Sequence, residues 1–307
     1  MSKPIEPNPI TKPIEPNNPI TKQPNNLIIE PSDCEIGKLT DCEIGKLSDY
    51  EIGKILGHGK FGDVFLGKKK STNQAIALKV IGKSRIKKSG LVHQVDAEIE
   101  ILKLVDHPHI VKFVKSFEDS NRIYIVMEYM EGGELFKKLK NYIQDNRGLE
   151  ESLVAKYILQ LTEAIEYLHG LNIIHRDIKP ENILLSTDHN HIKLCDFGWS
   201  VISSEPQTTS CGTLDYLCPE IVTGKRYDHT CDWWGMGVLT YELLVGNPPF
   251  MAPTHRETYK NIETINLTYP EYLSEEAINF MNALIVKTPF MRMTSNEIKD
   301  HPWIIKY

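Results

Sequence analysis

The spacing of apolar residues changes character along this chain. From Tyr50 to about Glu128 they come in short, β-branched runs such as Ala75-Ile76-Ala77-Leu78-Lys79-Val80 and Ile123-Tyr124-Ile125-Val126-Met127, which predict strands. Residues 91–105 interrupt this stretch with a helical pattern. Beyond Gly133 the period lengthens: Val154, Tyr157, Ile158, Leu161, Ile165 and Leu168 recur at spacings of three and four and mark one face of a helix. The run Trp233 to Val245, broken only by Glu242, is too short to span a bilayer and predicts a buried helix. Strands first and helices second imply an α+β architecture, with a smaller β-rich lobe and a larger, mainly helical one.

The first 48 residues follow neither rhythm. Lys3-Pro4-Ile5-Glu6-Pro7-Asn8 is echoed by Lys12-Pro13-Ile14-Glu15-Pro16-Asn17, and proline at this density blocks helices and ladders, so residues 1–32 are expected to be an extended or disordered tail. An octapeptide then repeats: Asp33-Cys34-Glu35-Ile36-Gly37-Lys38-Leu39-Thr40, Asp41-Cys42-Glu43-Ile44-Gly45-Lys46-Leu47-Ser48 and Asp49-Tyr50-Glu51-Ile52-Gly53-Lys54-Ile55-Leu56. Only the third copy runs into a glycine-rich loop. The earlier copies read as duplications of the first strand, loosely attached or able to compete for its place. Residues 33–48 are therefore a linker, and a folded domain is expected over 49–304.

The bulk numbers narrow the class. A chain of 307 residues has ample length for a buried core, and a net charge of −6 argues against a general nucleic-acid binder. The six cysteines form no CxxC pair, which favours reduced thiols over a structural zinc site. The Pro- and Asn-rich start lacks the apolar core of a signal peptide, and no membrane anchor is expected.

Candidate chemistry concentrates in His175-Arg176-Asp177-Ile178-Lys179-Pro180-Glu181-Asn182 and, after it, Asp196-Phe197-Gly198. Asp177 is placed to orient and deprotonate a hydroxyl, while Asn182 and Asp196 offer the oxygen ligands that Mg²⁺ prefers. Upstream, Gly57-His58-Gly59-Lys60-Phe61-Gly62-Asp63-Val64 would let backbone approach phosphates closely. Strands flank this loop on both sides, whereas a dinucleotide-binding turn would open a helix. Lys79 sits in a strand expected to be buried, which is costly for an unpaired charge. Glu98 is its candidate partner, with Glu100 the solvated competitor.

Together these segments resemble the protein kinases. The resemblance implies a bilobal fold with ATP and Mg²⁺ between the lobes, Lys79 on the inner phosphates and catalysis by Asp177 and Lys179. Adenine would meet the backbone of Glu128 and Met130, with Leu56, Gly57, Gly59, Gly62, Val64, Ala77 and Leu184 around the nucleotide. Lys179, with Gly212-Thr213 before Cys218-Pro219-Glu220, resembles serine/threonine enzymes, and Thr213 is assigned to substrate recognition. Arg176, Glu220, Arg292 and Asp232 are assigned structural roles, Glu220 pairing with Arg292 and Asp232 bracing the catalytic loop.

Over residues 49–305 the chain is more closely similar to the Aurora family. The segments that carry this are Asp49-Tyr50-Glu51-Ile52-Gly53, Asp196-Phe197-Gly198-Trp199-Ser200-Val201, Cys211-Gly212-Thr213-Leu214-Asp215-Tyr216, Tyr241-Glu242-Leu243-Leu244-Val245-Gly246-Asn247-Pro248-Pro249-Phe250 and His301-Pro302-Trp303-Ile304. Trp199 discriminates most. Glu134, Glu181 and Glu242 then align with carboxylates that bind an arginine upstream of the acceptor, which implies substrates with basic motifs. The resemblance further implies an activator like the inner centromere protein, work in chromosome segregation, spindle and cytokinesis control, and a place in nucleus and cytoplasm, on centromere and spindle. One departure matters. Thr209 aligns with the activating phosphosite, Thr208 being the runner-up, yet Glu205-Pro206-Gln207 precede it where the family carries arginines, and Asp96-Ala97 precede Glu98 where it carries basic residues. Arg176 remains as one phosphate partner, and Asp96 would oppose a phosphate. Weak autoactivation, or activation leaning on a partner, is the expectation. The competing readings are another basic-directed kinase and a pseudokinase scaffold.

Overall fold

A computed structural model describes residues 45–143 and 147–307. The expected tail, the first octapeptide copy and the first half of the second lie outside these residues. The small lobe is a five-stranded antiparallel sheet in the order β1-β2-β3-β5-β4. Its strands are β1 (Tyr50–His58), β2 (Gly62–Lys69), β3 (Ala75–Gly82), β4 (Phe113–Glu118) and β5 (Arg122–Glu128), with helices α1 (Lys83–Lys88) and α2 (Val92–Leu104) between β3 and β4. The predicted strands thus appear, α2 fills the predicted helical stretch, and α1 is an addition ahead of it. Alternation along the sheet explains its two apolar faces. Ile81, Ile123 and Ile125 point into the main core together with Val95, Ile101 and Leu102 of α2. Tyr50, Ile76, Leu78, Tyr124 and Val126 build a second cluster on the other face, where Tyr50 stacks on Phe117 at 6.1 Å and Phe117 on Tyr124 at 4.9 Å. Leu47, from the second octapeptide copy, packs on this second cluster.

The large lobe opens with β6 (Gly133–Glu134) and α3 (Leu135–Tyr142), then α4 (Glu151–Gly170) and β7 (Ile173–Ile174). Two short strands follow, β8 (Ile183–Leu185) and β9 (Ile192–Leu194), and then β10 (Val201–Ile202). Helices α5 (Pro219–Val222), α6 (Thr230–Val245), α7 (His255–Thr264), α8 (Glu275–Leu284), α9 (Ser295–Lys299) and α10 (Pro302–Ile305) complete it. In α4 the apolar face read from sequence is buried throughout. In α6 burial runs all the way round, from Cys231 to Leu244, because that helix is the axis on which α4 and α8 pack. Gly246 ends α6 in the left-handed conformation (φ +98°) that glycine adopts without strain. An isolated parallel bridge between Ile110 and Leu194 ties the segment before β4 to the large lobe. Among the described residues no helix is long and apolar enough to cross a membrane.

Candidate active site

Strand β3 aims Lys79 at the interface of the lobes. Its register against β2 puts Lys79 beside Val64, and against β5 beside Ile125, so the ammonium is buried (4 % exposed). A charge there needs partners. Nζ lies 2.5 Å from Glu98 Oε1 on α2 and 3.3 Å from Asp196 Oδ1. Burial alone would push this ammonium down, but Asp196 and Glu98 outweigh it and hold it above the ordinary lysine value. Asp196 in turn is held below the usual carboxylate range, chiefly by Lys79. Glu100 is exposed, so Glu98 is the helix carboxylate that reaches the lysine.

The catalytic loop is fixed from beneath. Asp232, fully buried on α6, accepts the backbone N–H of His175 at 2.9 Å and that of Arg176 at 2.8 Å, and pairs with His169 Nε2 at 2.9 Å. Bringing both N–H groups onto one carboxylate bends the chain so that Arg176 takes φ +67°. This conformation is strained for a residue with a side chain, by about 1–2 kcal/mol. Asp196 also adopts a positive φ, +61°. Above this base, Thr213 Oγ1 donates to Asp177 Oδ1 at 2.8 Å, and Lys179 Nζ reaches Thr213 Oγ1 and Asp177 Oδ2, each at 2.8 Å. Asn182 Nδ2 donates to the carbonyl and to Oδ2 of Asp177, both at 2.8 Å. The structure therefore brings Asp177, Lys179, Thr213 and Asn182 into one network and links Asp196 to Lys79.

The glycine loop closes over this network. A side-chain carbon at Gly62 would come within 1.9 Å of the Val80 carbonyl oxygen, so only glycine lets the chain enter β2 there. Gly57 faces Glu134 of the other lobe, whose Oε1 would stand 3.7 Å from an added Cβ. Sequence reasoning missed two residues at the loop tip. The Phe61 ring is buried (2 % exposed), lies against Gly198 and sits 5.6 Å from Lys79 Nζ. Lys60 Nζ sits 3.0 Å from the centre of the Trp199 ring, a cation–π contact. Leu56, Val64 and Leu184 are half-buried and Ala77 is buried. Glu128 Oε1 is occupied by the Lys112 N–H and the Lys193 ammonium, each at 2.6 Å, whereas among the described residues the Met130 N–H makes no hydrogen bond within the protein.

The three acidic candidates differ in state. Glu134 pairs with Lys137 at 2.9 Å, and Glu181 is exposed. Glu242 is buried (5 % exposed) and accepts a hydrogen bond from the Tyr216 hydroxyl. Burial pushes its carboxyl up to about 7, with Glu181 and Asp215 adding to the rise against the opposing Tyr216 bond and Lys140. The influence of Glu181 places two of the three carboxylates within electrostatic reach of each other. Thr208 and Thr209 are exposed on the segment after Asp196. Arg292 clasps Glu220 in a buried bidentate pair, at 2.7 and 2.8 Å.

A five-stranded lobe with a glycine loop, set against a helical lobe that carries an Asp–Lys–Asn loop, is the architecture of a protein kinase domain. The protein kinase domain family matches residues 50–304. Aurora kinase A-A of Xenopus laevis is 44% identical over 252 residues, covering 82% of this chain and 61% of that protein. Aurora kinase B of Danio rerio is 42% identical over 81% of this chain and 77% of its own length, and the Aurora kinase of Schizosaccharomyces pombe is 45% identical over 82% and 70%. The chain belongs to the protein kinase family, within its Aurora branch. It spans about three-fifths of the length of the two Xenopus laevis relatives, 61% and 60%.

Membership of this family implies ATP and, ordinarily, Mg²⁺. The residues present fit both. Asn182 spends its amide N–H groups on Asp177, and Asp196 spends Oδ1 on Lys79 and the Gly198 N–H. Asn182 Oδ1 and Asp196 Oδ2 thus remain without a protein partner among the described residues. Two hard oxygens, with phosphate and water completing the shell, suit Mg²⁺, which is seldom caged by protein alone.

Proposed function

We propose that this chain is an active, ATP-dependent serine/threonine protein kinase of Aurora type. What carries the reading is the Asp177 network, in which Lys179, Thr213 and Asn182 fix the carboxylate while Lys79, Glu98 and Asp196 form a separate charged group nearby. Mg²⁺-ATP supplies the γ-phosphoryl group and the charge neutralisation. Asp177 orients the acceptor hydroxyl and takes its proton as the new P–O bond forms and ADP departs. Lys179 steadies the transferring group, and Lys79 anchors the inner phosphates. A scaffold without catalysis would have no need of an intact set, and here each member is present and paired.

Acceptors with an upstream arginine are the proposed substrates, because Glu181 and Glu242 are close enough to influence each other and Glu134 flanks the glycine loop. A role in chromosome segregation, spindle and cytokinesis control, residence in nucleus and cytoplasm on centromere and spindle, and an activator like the inner centromere protein are proposed on the family relationship alone. Direct binding to nucleic acid or membrane is not part of the proposal. The test is Mg²⁺-ATP phosphotransfer to paired peptides with and without arginine two residues before the serine, with Asp196→Asn as control. Transfer that prefers arginine is expected. No transfer would favour the scaffold, and indifference to arginine would remove the acidic subsite.

A further inference from the structure

The activation segment lacks arginines before Thr209, and α2 carries Asp96-Ala97 where basic residues would grip a phosphate, yet the course of the segment is pinned at several points. Gln207 and Tyr227 exchange both backbone bonds, Gln207 N–H to the Tyr227 carbonyl at 2.7 Å and Tyr227 N–H to the Gln207 carbonyl at 3.0 Å. The Tyr227 side chain is buried (3 % exposed) and its hydroxyl sits between two segments. It accepts from Arg176 Nη1 at 3.0 Å and donates to the Thr209 carbonyl at 2.8 Å, with Cys211 Sγ 3.7 Å away. Arg176 Nε donates to the Trp199 carbonyl at 2.5 Å. Among the described residues Arg176 has no carboxylate partner. The guanidinium that a loop phosphate would recruit is therefore already engaged by two neutral oxygens, and one of them passes the connection straight to Thr209.

We propose that Tyr227 is a positioning residue that holds the activation segment in its productive course without a phosphate, by relaying Arg176 to the Thr209 backbone. The inference rests on the kinase reading and changes what was expected of the loop. Missing loop arginines predict a poor autophosphorylation substrate and Asp96-Ala97 a poor grip on phosphate, and a segment held through Tyr227 needs none. A hydroxyl suits the task because it accepts from the cationic donor and donates to the carbonyl at once, which a phenyl ring cannot do. The segment it steadies ends at Thr213, whose own hydroxyl holds Asp177, so the effect reaches the catalytic carboxylate within a few residues.

The test uses the full chain and compares Tyr227→Phe, which keeps the buried ring, with the double variant Thr208→Ala/Thr209→Ala, which removes both phosphate acceptors. The double variant should keep peptide phosphorylation within about threefold of the parent. Tyr227→Phe should lose about tenfold or more in kcat, the size expected for one hydrogen bond to a charged group, with KM for ATP unchanged. Amide exchange over residues 203–211 should quicken in Tyr227→Phe while the unfolding midpoint stays put, a local loosening that general destabilisation would not produce. Full activity in Tyr227→Phe with Thr209 unmodified would overturn the proposal, as would unchanged exchange or loss of activity in the double variant. If the parent chain transferred no phosphate, the functional reading would fail, whereas the exchange comparison would still decide whether Tyr227 holds the segment.

Discussion

Glu242 turns the proposed arginine preference into a pH-dependent quantity. Only the ionised carboxylate offers arginine a charged, bidentate partner, and burial pushes this carboxyl up to about 7. About a tenth of the groups are then ionised at pH 6 and about nine-tenths at pH 8. The KM for an arginine-bearing peptide should therefore fall by several-fold, at most about tenfold, between those values. The assay is the ratio of KM for paired peptides with arginine or alanine at the upstream position, which cancels titrations common to both. Glu242→Gln should flatten the ratio. Tyr216→Phe removes the donor that favours the ionised form and should move the midpoint upward. Stability carries the same signature with a definite sign. The folded group titrates above the ordinary glutamate value of 4.5, so the native state binds the proton more tightly. Its contribution is fully present below about 4.5 and is lost as pH rises through about 7, a difference on the order of 3 kcal/mol. Glu242→Gln should accordingly gain on the parent at pH 8 relative to pH 5. A flat KM ratio in the parent, or a slope that survives in Glu242→Gln, would refute the assignment.

Three further outcomes follow from the same geometry. Glu220→Leu leaves the Arg292 guanidinium buried and unpaired and should cost about 3–5 kcal/mol in denaturant unfolding, whereas Glu220→Leu/Arg292→Met should cost clearly less than either single change; additive losses would count against this. Phe61→Ala empties the place of a buried ring that touches Gly198 and sits 5.6 Å from Lys79 Nζ, and should cost about 3–5 kcal/mol in denaturant unfolding; an unchanged midpoint would show that the ring contributes nothing to the packing of the loop. Asp232→Asn turns an acceptor of two backbone N–H groups into a partial donor and should lower kcat about tenfold or more with ATP affinity little changed, measured by initial rates and nucleotide titration; unaltered kcat would deny Asp232 its bracing role.

The bilobal α+β fold was legible because strand and helix periods separate cleanly at Gly133, and because the α6 run is too apolar for any place but a core. The lysine–glutamate pair was legible for a related reason: a lysine in a buried strand demands a carboxylate, and the apolar neighbours of Glu98 mark it as facing inward. The state of Glu242 was not legible. Its position aligned with a substrate contact, but its burial and its Tyr216 bond arise from packing between α6 and the segment before α5, which no local pattern reports. Phe61 was hidden for a different reason. In sequence it is one apolar residue among loop glycines, and only the closed loop places it on Gly198.

Tyr227 marks the harder limit. Its partners are a backbone carbonyl and a guanidinium already assigned another task, so neither side of the contact leaves a signature in residue type. The missing loop arginines and Asp96 were visible and pointed toward a weak switch, because both a substrate motif and a phosphate grip can be read from charges. A grip made of a hydroxyl and a carbonyl cannot. The two differ in what they respond to: a phosphate-held segment is set by whatever adds or removes the phosphate, while a segment held through Tyr227 is set by packing and stays put unless something displaces it. In a chain with Asp96 where a basic residue would welcome phosphate, the second arrangement is the one its charges favour.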